Sequence, residues 1–89
     1  MRKYIIQENS TRERIDSSLF SQKTVITPSA NIEISYSADP ADDEIVVLAY
    51  GNYLSLANPE NTPLYVRGLE NDEISIFNNV VQINPFISY

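Results

Sequence analysis

Neither cysteine nor histidine occurs anywhere in the 89 residues. Without cysteine there is no disulfide, no thiol nucleophile and no thiolate metal site, which fits a protein that never needs an oxidising compartment. Without histidine the usual general base and the commonest metal ligand are both missing. Cations are scarce and unevenly placed. Residues 1–23 hold five of them (Arg2, Lys3, Arg12, Arg14, Lys23) against three carboxylates, a net of +2. Residues 24–89 hold only Arg67 against nine carboxylates, a net of −8, and the two parts make the −6 of the whole chain. An acidic body argues against nucleic acid as a partner, because neutralising phosphates takes clustered Lys and Arg. No run approaches the roughly 18 apolar residues of a membrane span. Residues 1–8 turn polar too soon for a secretory signal. A soluble protein made inside the cell, with no membrane partner, is expected.

What is present points to strands. Ile, Val and Thr number 11, 6 and 4, against 6 Leu and 5 Ala, a balance that suits a pleated chain better than a helical one. The length allows one domain, which buries only about 60–65% of its unfolded surface. Short apolar runs recur at spacings of about ten residues, separated by turn signals such as Asp39-Pro40 and the prolines at 59 and 63. The predicted fold is all-β, a small antiparallel β-sandwich or barrel of seven to nine strands with an extended N-terminal segment. Residues 1–22 read as an N-terminal arm or edge segment and residues 23–89 as the sandwich domain. Residues 31–37 alternate most cleanly and put Ile32, Ile34 and Tyr36 inward. Within residues 8–22, Ser10-Thr11-Arg12-Glu13 has the pattern of a capping box, but Ile15, Ser17 and Leu19 alternate as a strand would. That segment is read as extended.

The strongest local signal is an apolar run followed by Gly51-Asn52 and a second alternating stretch, which reads as a hairpin over residues 44–56. Its register places Ile45, Val47, Ala49, Leu54 and Leu56 on a core face. The other face then carries Val46, Leu48, Tyr50, Tyr53 and Ser55. A sheet with one wet side should be polar there, so something covers this face: the chain's own second sheet, or another subunit. On the second possibility Val46, Leu48, Tyr50 and Tyr53 are candidate partner-binding residues. Arg12 and Arg14 join them from the basic leading segment, and Phe86 and Tyr89 from the apolar tail, since exchange between subunits often uses such ends.

Chemistry finds little to work with. Serines are many but no base is at hand, and Glu33 lies on the polar side of a clean alternation, where a carboxylate is not tuned for proton transfer. The acidic runs around Asp42 and Asp72 could offer oxygens to Ca²⁺, yet neither has the spacing of a calcium loop, and they read as solvated turns. They also echo each other, as Asp42-Asp43-Glu44-Ile45 and Asn71-Asp72-Glu73-Ile74, which is a recurring turn habit. Arg67, the only cation after Lys23, is expected in an ion pair within the chain. No enzymatic activity, cofactor or metal is expected.

Residues 31–37, 43–56 and 64–77, reading as strand, acidic turn, apolar strand, Gly turn and closing strand in an acidic chain without cysteine, resemble bacteriophage virion proteins of the capsid decoration, or cement, kind. Residues 10–19 have no clear counterpart in that style. The resemblance implies a virion protein, made in the host cytoplasm, that binds at junctions of an icosahedral shell and stiffens it without chemistry. Its partners would be further copies of itself, with a trimer favoured, and the major capsid protein. The alternative is a small free binding module, an inhibitor or carbohydrate-binding domain, whose exposed tyrosines stack on a ligand.

Overall fold

Alternation of isoleucine with polar residues builds the sheets. The computed structural model describes residues 2–57, 59 and 61–79 and contains eight strands: β1 (Arg2–Ile5), β2 (Glu13–Ile15), β3 (Lys23–Pro28), β4 (Ile32–Ser35), β5 (Val46–Leu48), β6 (Leu54–Ala57), β7 (Leu64–Arg67) and β8 (Glu73–Asn78). Two single 3₁₀ turns, Ser17–Leu19 and Asp42–Glu44, are its helical content. The first sheet runs β1-β8-β3-β6 and the second β2-β7-β4-β5, with every neighbouring pair antiparallel.

The pairing has a simple rule. The first strand bonds the eighth, the second the seventh, the third the sixth and the fourth the fifth, so the chain is one long hairpin folded at the β4–β5 connection. Rolling that hairpin brings β8 beside β3 and β7 beside β4, which closes the two sheets. This is the eight-stranded jelly-roll topology.

Between the sheets, Ile6, Ile15, Ile26, Ile32, Ile34, Leu48, Leu56, Leu64, Val66, Ile74 and Ile76 are buried together with Phe20. Each such side chain contributes about 1.5–3 kcal/mol by leaving water. Buried Thr24 is satisfied within a small polar cluster: its hydroxyl lies 2.8 Å from Asn78 Oδ1 and accepts the Ser21 N–H at 3.0 Å, and Asn78 Nδ2 donates to Leu19 O at 2.9 Å.

Two sequence expectations change. The 44–56 hairpin does not form: β5 pairs with β4 in the second sheet, β6 pairs with β3 in the first, and the chain crosses between sheets over residues 49–53. A two-residue hairpin centred on Gly51-Asn52 in the favoured I′ form needs positive φ at both positions, but only Gly51 has it, at +89°. Asn52 N–H instead donates to Ala49 O at 3.0 Å, closing a turn with Gly51 third, where a type II turn requires positive φ. The Tyr50 N–H is taken by Asn31 Oδ1 at 2.8 Å, which holds that turn against the start of β4.

The faces of β5 are therefore exchanged as well. Val46 and Leu48 lie in register with the inward Ile34 and Ile32, and Val47 lies beside the outward Glu33. Leu48 is a core residue at 5% exposure, while Val47, expected inside, is 62% exposed. Tyr36 also turns out, at 50%, because β4 stops at Ser35 before the alternation reaches it.

Residues 1–22, read as an arm or edge segment, contribute edge strands. β1 and β2 are edge strands of the two sheets, and Ile6, Ile15 and Phe20 enter the core. The capping-box pattern starts no helix; the Glu13 carboxylate reaches back to the N–H groups of Gln7 and Glu8 at 3.0–3.1 Å, ahead of a strand. Residues 80–83, whose apolar run after Asn78-Asn79 reads as a further strand, and the apolar tail lie outside the described residues.

Candidate functional site

The alternation that buries Ile32 and Ile34 turns Glu33 onto the outer face of the second sheet, in register with Arg67 on β7 and Val47 on β5. Arg12 Nη2 lies 3.5 Å and Arg67 Nη1 3.9 Å from Glu33 Oε1. Arg67 Nε also donates to Ser10 O at 3.1 Å. Two guanidinium groups from distant parts of the sequence thus share one carboxylate, and Arg67 has the ion pair expected of it. These groups remain partly wet, so each pair adds only about 0–1 kcal/mol. Beside them an open recess of about 310 Å³ is lined by Ile32, Val47, Gly68 and Leu69 among others.

At the edge of this sheet, β5 bonds only β4 among the described residues. Its exposed side chains are apolar: Val46 at 50% and Val47 at 62%, followed in the turn by Tyr50 at 72%. Immediately before β5, the 3₁₀ turn presents Asp42, Asp43 and Glu44 to solvent. The Glu44 carboxylate accepts the Ala41 N–H at 2.8 Å, which ties the turn down. Edge strands are usually blunted by shortness, charge or a bulge; β5 is short, three residues, and carries no charge.

The opposite edge of the same sheet is β2, with Arg14 exposed and turned outward in register with Tyr65. Beside it runs β1, the edge of the other sheet, bringing Arg2 and Lys3 to the same side of the sandwich. Lys3 pairs with Glu73 at 2.9 Å and Arg2 Nη1 donates to Ser18 O at 2.9 Å. Arg2, Lys3 and Arg14 thus stand on the β1 and β2 side together with Glu13, Asp16 and Glu73, while the acidic turn lies before β5 at the other edge of the second sheet.

A carboxylate hub ties β1 to β2 and the turn before it. Glu13 Oε1 accepts the Tyr4 hydroxyl at 2.6 Å, and the same carboxylate receives the Gln7 and Glu8 N–H groups. Partial burial by itself raises the Glu13 pKa, but the Tyr4 hydroxyl and the two backbone donors outweigh it, and the carboxyl sits below its ordinary value. Burial, reinforced by the bond to Glu13 and by its charge, pushes the Tyr4 hydroxyl up to about 12. Asp16 is held low by the Ser18 N–H, which its carboxylate accepts at 2.9 Å to cap the first 3₁₀ turn.

Of the residues singled out from sequence, Val46 and Tyr50 lie together on the exposed β5 edge, Tyr53 is half-buried in the crossing segment, and Leu48 is in the core. Arg14 lies on the outer face at the β2 edge, Arg12 reaches Glu33 on β4, and Phe86 and Tyr89 fall outside the described residues. Sequence reasoning missed Val47 and Tyr36 as exposed groups, and it did not join Arg12, Glu33 and Arg67. The outward position of Glu33 was legible from alternation; its meeting with two arginines needed the β4–β7 register. Among the described residues no three acidic side chains converge as metal ligands would. Comparison with protein-family models, with curated proteins and with solved structures finds no match to this chain.

Proposed function

We propose that the chain is a non-enzymatic structural protein of a bacteriophage virion, which self-associates and binds capsid subunits to stabilise the shell. The observation that carries the reading is the β5 edge, where Val46 and Val47 stand exposed on a strand with one bonded neighbour among the described residues. Such an edge is a template for another chain, and a free monomer has every reason to blunt it. The jelly-roll topology adds support, being an architecture that capsid domains use. The apolar tail with Phe86 and Tyr89, and Arg12 and Arg14 of the leading segment, are further candidate contact groups for a shell junction.

Cosedimentation tests it. Purified chain mixed with shells of the phage that encodes it should pellet with them in a fixed ratio and raise their melting temperature, and Val47→Lys should reduce both effects. A chain that stays in the supernatant at saturating concentration refutes the virion role.

A second reading has one observation in its favour. Tyr50 at 72% and Tyr36 at 50% exposure offer ring faces on which a sugar could stack, and lectin domains share the topology. Glycan binding that disappears in Tyr50→Ala and Tyr53→Ala, with no shell binding in the wild type, would select this binding module instead.

A further inference from the structure

We propose that the open recess beside Glu33 binds a carboxylate borne on an apolar body, Arg12 and Arg67 holding the carboxylate while Val47 and Leu69 hold the body. Such binding needs neither a virion nor self-association.

Strand register brings the charges together. Glu13 pairs with Val66, so Arg12, one residue ahead of β2, stands level with Arg67, and Arg67 pairs with Glu33. Both guanidiniums meet the same oxygen, Glu33 Oε1, at 3.5 and 3.9 Å. A charge-assisted hydrogen bond is about 2.7–2.9 Å long, so neither is forked onto that carboxylate. Arg67 is fixed instead through Nε, which donates to Ser10 O at 3.1 Å and leaves its Nη groups beside the recess it lines. Arg12 makes no hydrogen bond to a described residue, although its side chain is only 20% exposed. Two cations thus share one carboxylate and keep unused N–H donors. Of the neighbouring carboxylates, Asp72 accepts the Leu69 N–H at 3.1 Å, and Glu13 is taken by Tyr4 and two backbone N–H groups. Glu70, exposed in the same turn as Asp72, opposes an anion, and exposed Arg14 and Asp16, further along the chain, offset each other.

The rim supplies the apolar half. Val47 is 62% and Leu69 60% exposed, and Ile32 and Gly68 also belong to the lining. A carboxylate carrying methylenes complements this arrangement, because its oxygens accept the spare N–H groups while its chain covers the two apolar side chains. Each ion pair to Glu33 contributes little, so a ligand can share the guanidiniums at small cost to the fold.

Hexanoate is the probe, with acetate and hexanol as its two halves. Amide spectra of the isotopically labelled full chain should shift with hexanoate at Ser10, Asn31, Gly68 and Leu69. Acetate should bind more weakly, by about fourfold for each methylene that hexanoate buries, and hexanol should not saturate the site. Arg12→Gln and Arg67→Gln should each weaken hexanoate about tenfold. Leu69→Ser should weaken hexanoate and leave acetate unchanged. Glu33→Gln should strengthen hexanoate several-fold, because the competing carboxylate is gone, and Glu70→Gln should strengthen it less. The amide spectrum of each variant also shows that it folds. A blocked peptide with leucine beside glutamate separates the two sources of such a group: tighter binding than hexanoate assigns the site to an acidic side chain of a partner protein, weaker binding to a free small acid.

Unchanged spectra at the highest soluble hexanoate concentration overturn the proposal, as do shifts that both arginine changes leave intact. Weaker hexanoate binding in Glu33→Gln overturns it equally, since the ion pairs then serve the fold alone. Every measurement uses the free chain, so shell cosedimentation and the virion reading are scored on their own result.

Discussion

Gly68 sits where two connections of the roll touch. A Cβ added there would lie 2.8 Å from Ile6 Cδ1, 3.3 Å from Asp72 Oδ2 and 3.4 Å from Ile32 Cγ1. Ile6 and Ile32 are both core residues at 1% exposure, so neither side chain gives way freely. Gly68→Ala is expected to cost about 1–3 kcal/mol, read as a lower denaturant midpoint at unchanged slope. Gly51 provides the contrast, because its surroundings are open and only its φ of +89° resists a side chain. Gly51→Ala should cost less, about 1 kcal/mol. Glu13 gives a pH signature. Its folded pKa is depressed, so its contribution is present above the ordinary value near 4.3 and is lost as pH falls through the lowered one. Denaturant midpoints measured from pH 5 downward should fall, and Glu13→Gln should fall less steeply. The raised value of Tyr4 works from the other side: its contribution is complete below about 10 and is lost as pH rises through about 12. Tyr4→Phe should flatten that alkaline limb. None of this was visible in the order of residues, where Glu13 looked like the end of a capping box.

Among the elements, β5 is the one whose sequence misled. Three consecutive apolar residues, Val46-Val47-Leu48, have no alternation, so nothing in them distinguishes one face from the other. The face was set by the partner strand, since pairing with β4 aligns Leu48 with Ile32 and Val47 with Glu33. β4, β7 and β8 were legible because their polar residues mark the outer face, as Glu33, Tyr65 and Ser75 do. The exposed position of Val47 predicts that Val47→Lys changes unfolding free energy by no more than about 0.5 kcal/mol. Sedimentation of the same variant should show weakened association. A variant that instead unfolds would mean that Val47 belongs to the core.

For the molecule as a whole, the topology makes the two ends of the described chain mutually dependent. β1 bonds β8 and β2 bonds β7, and the connections between them are stitched by Ile6 N–H to Asp72 O at 2.9 Å, Asn71 N–H to Ile6 O at 2.9 Å and Ser10 N–H to Gly68 O at 2.7 Å. Removing residues 1–20 deletes an edge strand from each sheet together with Ile6, Ile15 and Phe20, and circular dichroism should report an unfolded chain. A folded remainder would restore the reading of this segment as a separate arm. By itself the sequence determined that the protein is all-β, because β-branched residues in short alternating runs can bury one side only by forming sheets. It also determined the charge split, which needs nothing but counting. Only the tertiary structure decided which strands are neighbours. A turn such as Tyr50-Gly51 permits either a hairpin or a crossing between sheets, and the choice rests on hydrogen bonds to strands far away in the chain. That choice placed β2 and the acidic turn at opposite edges of one sheet, and left two valines exposed between the acidic turn and Tyr50.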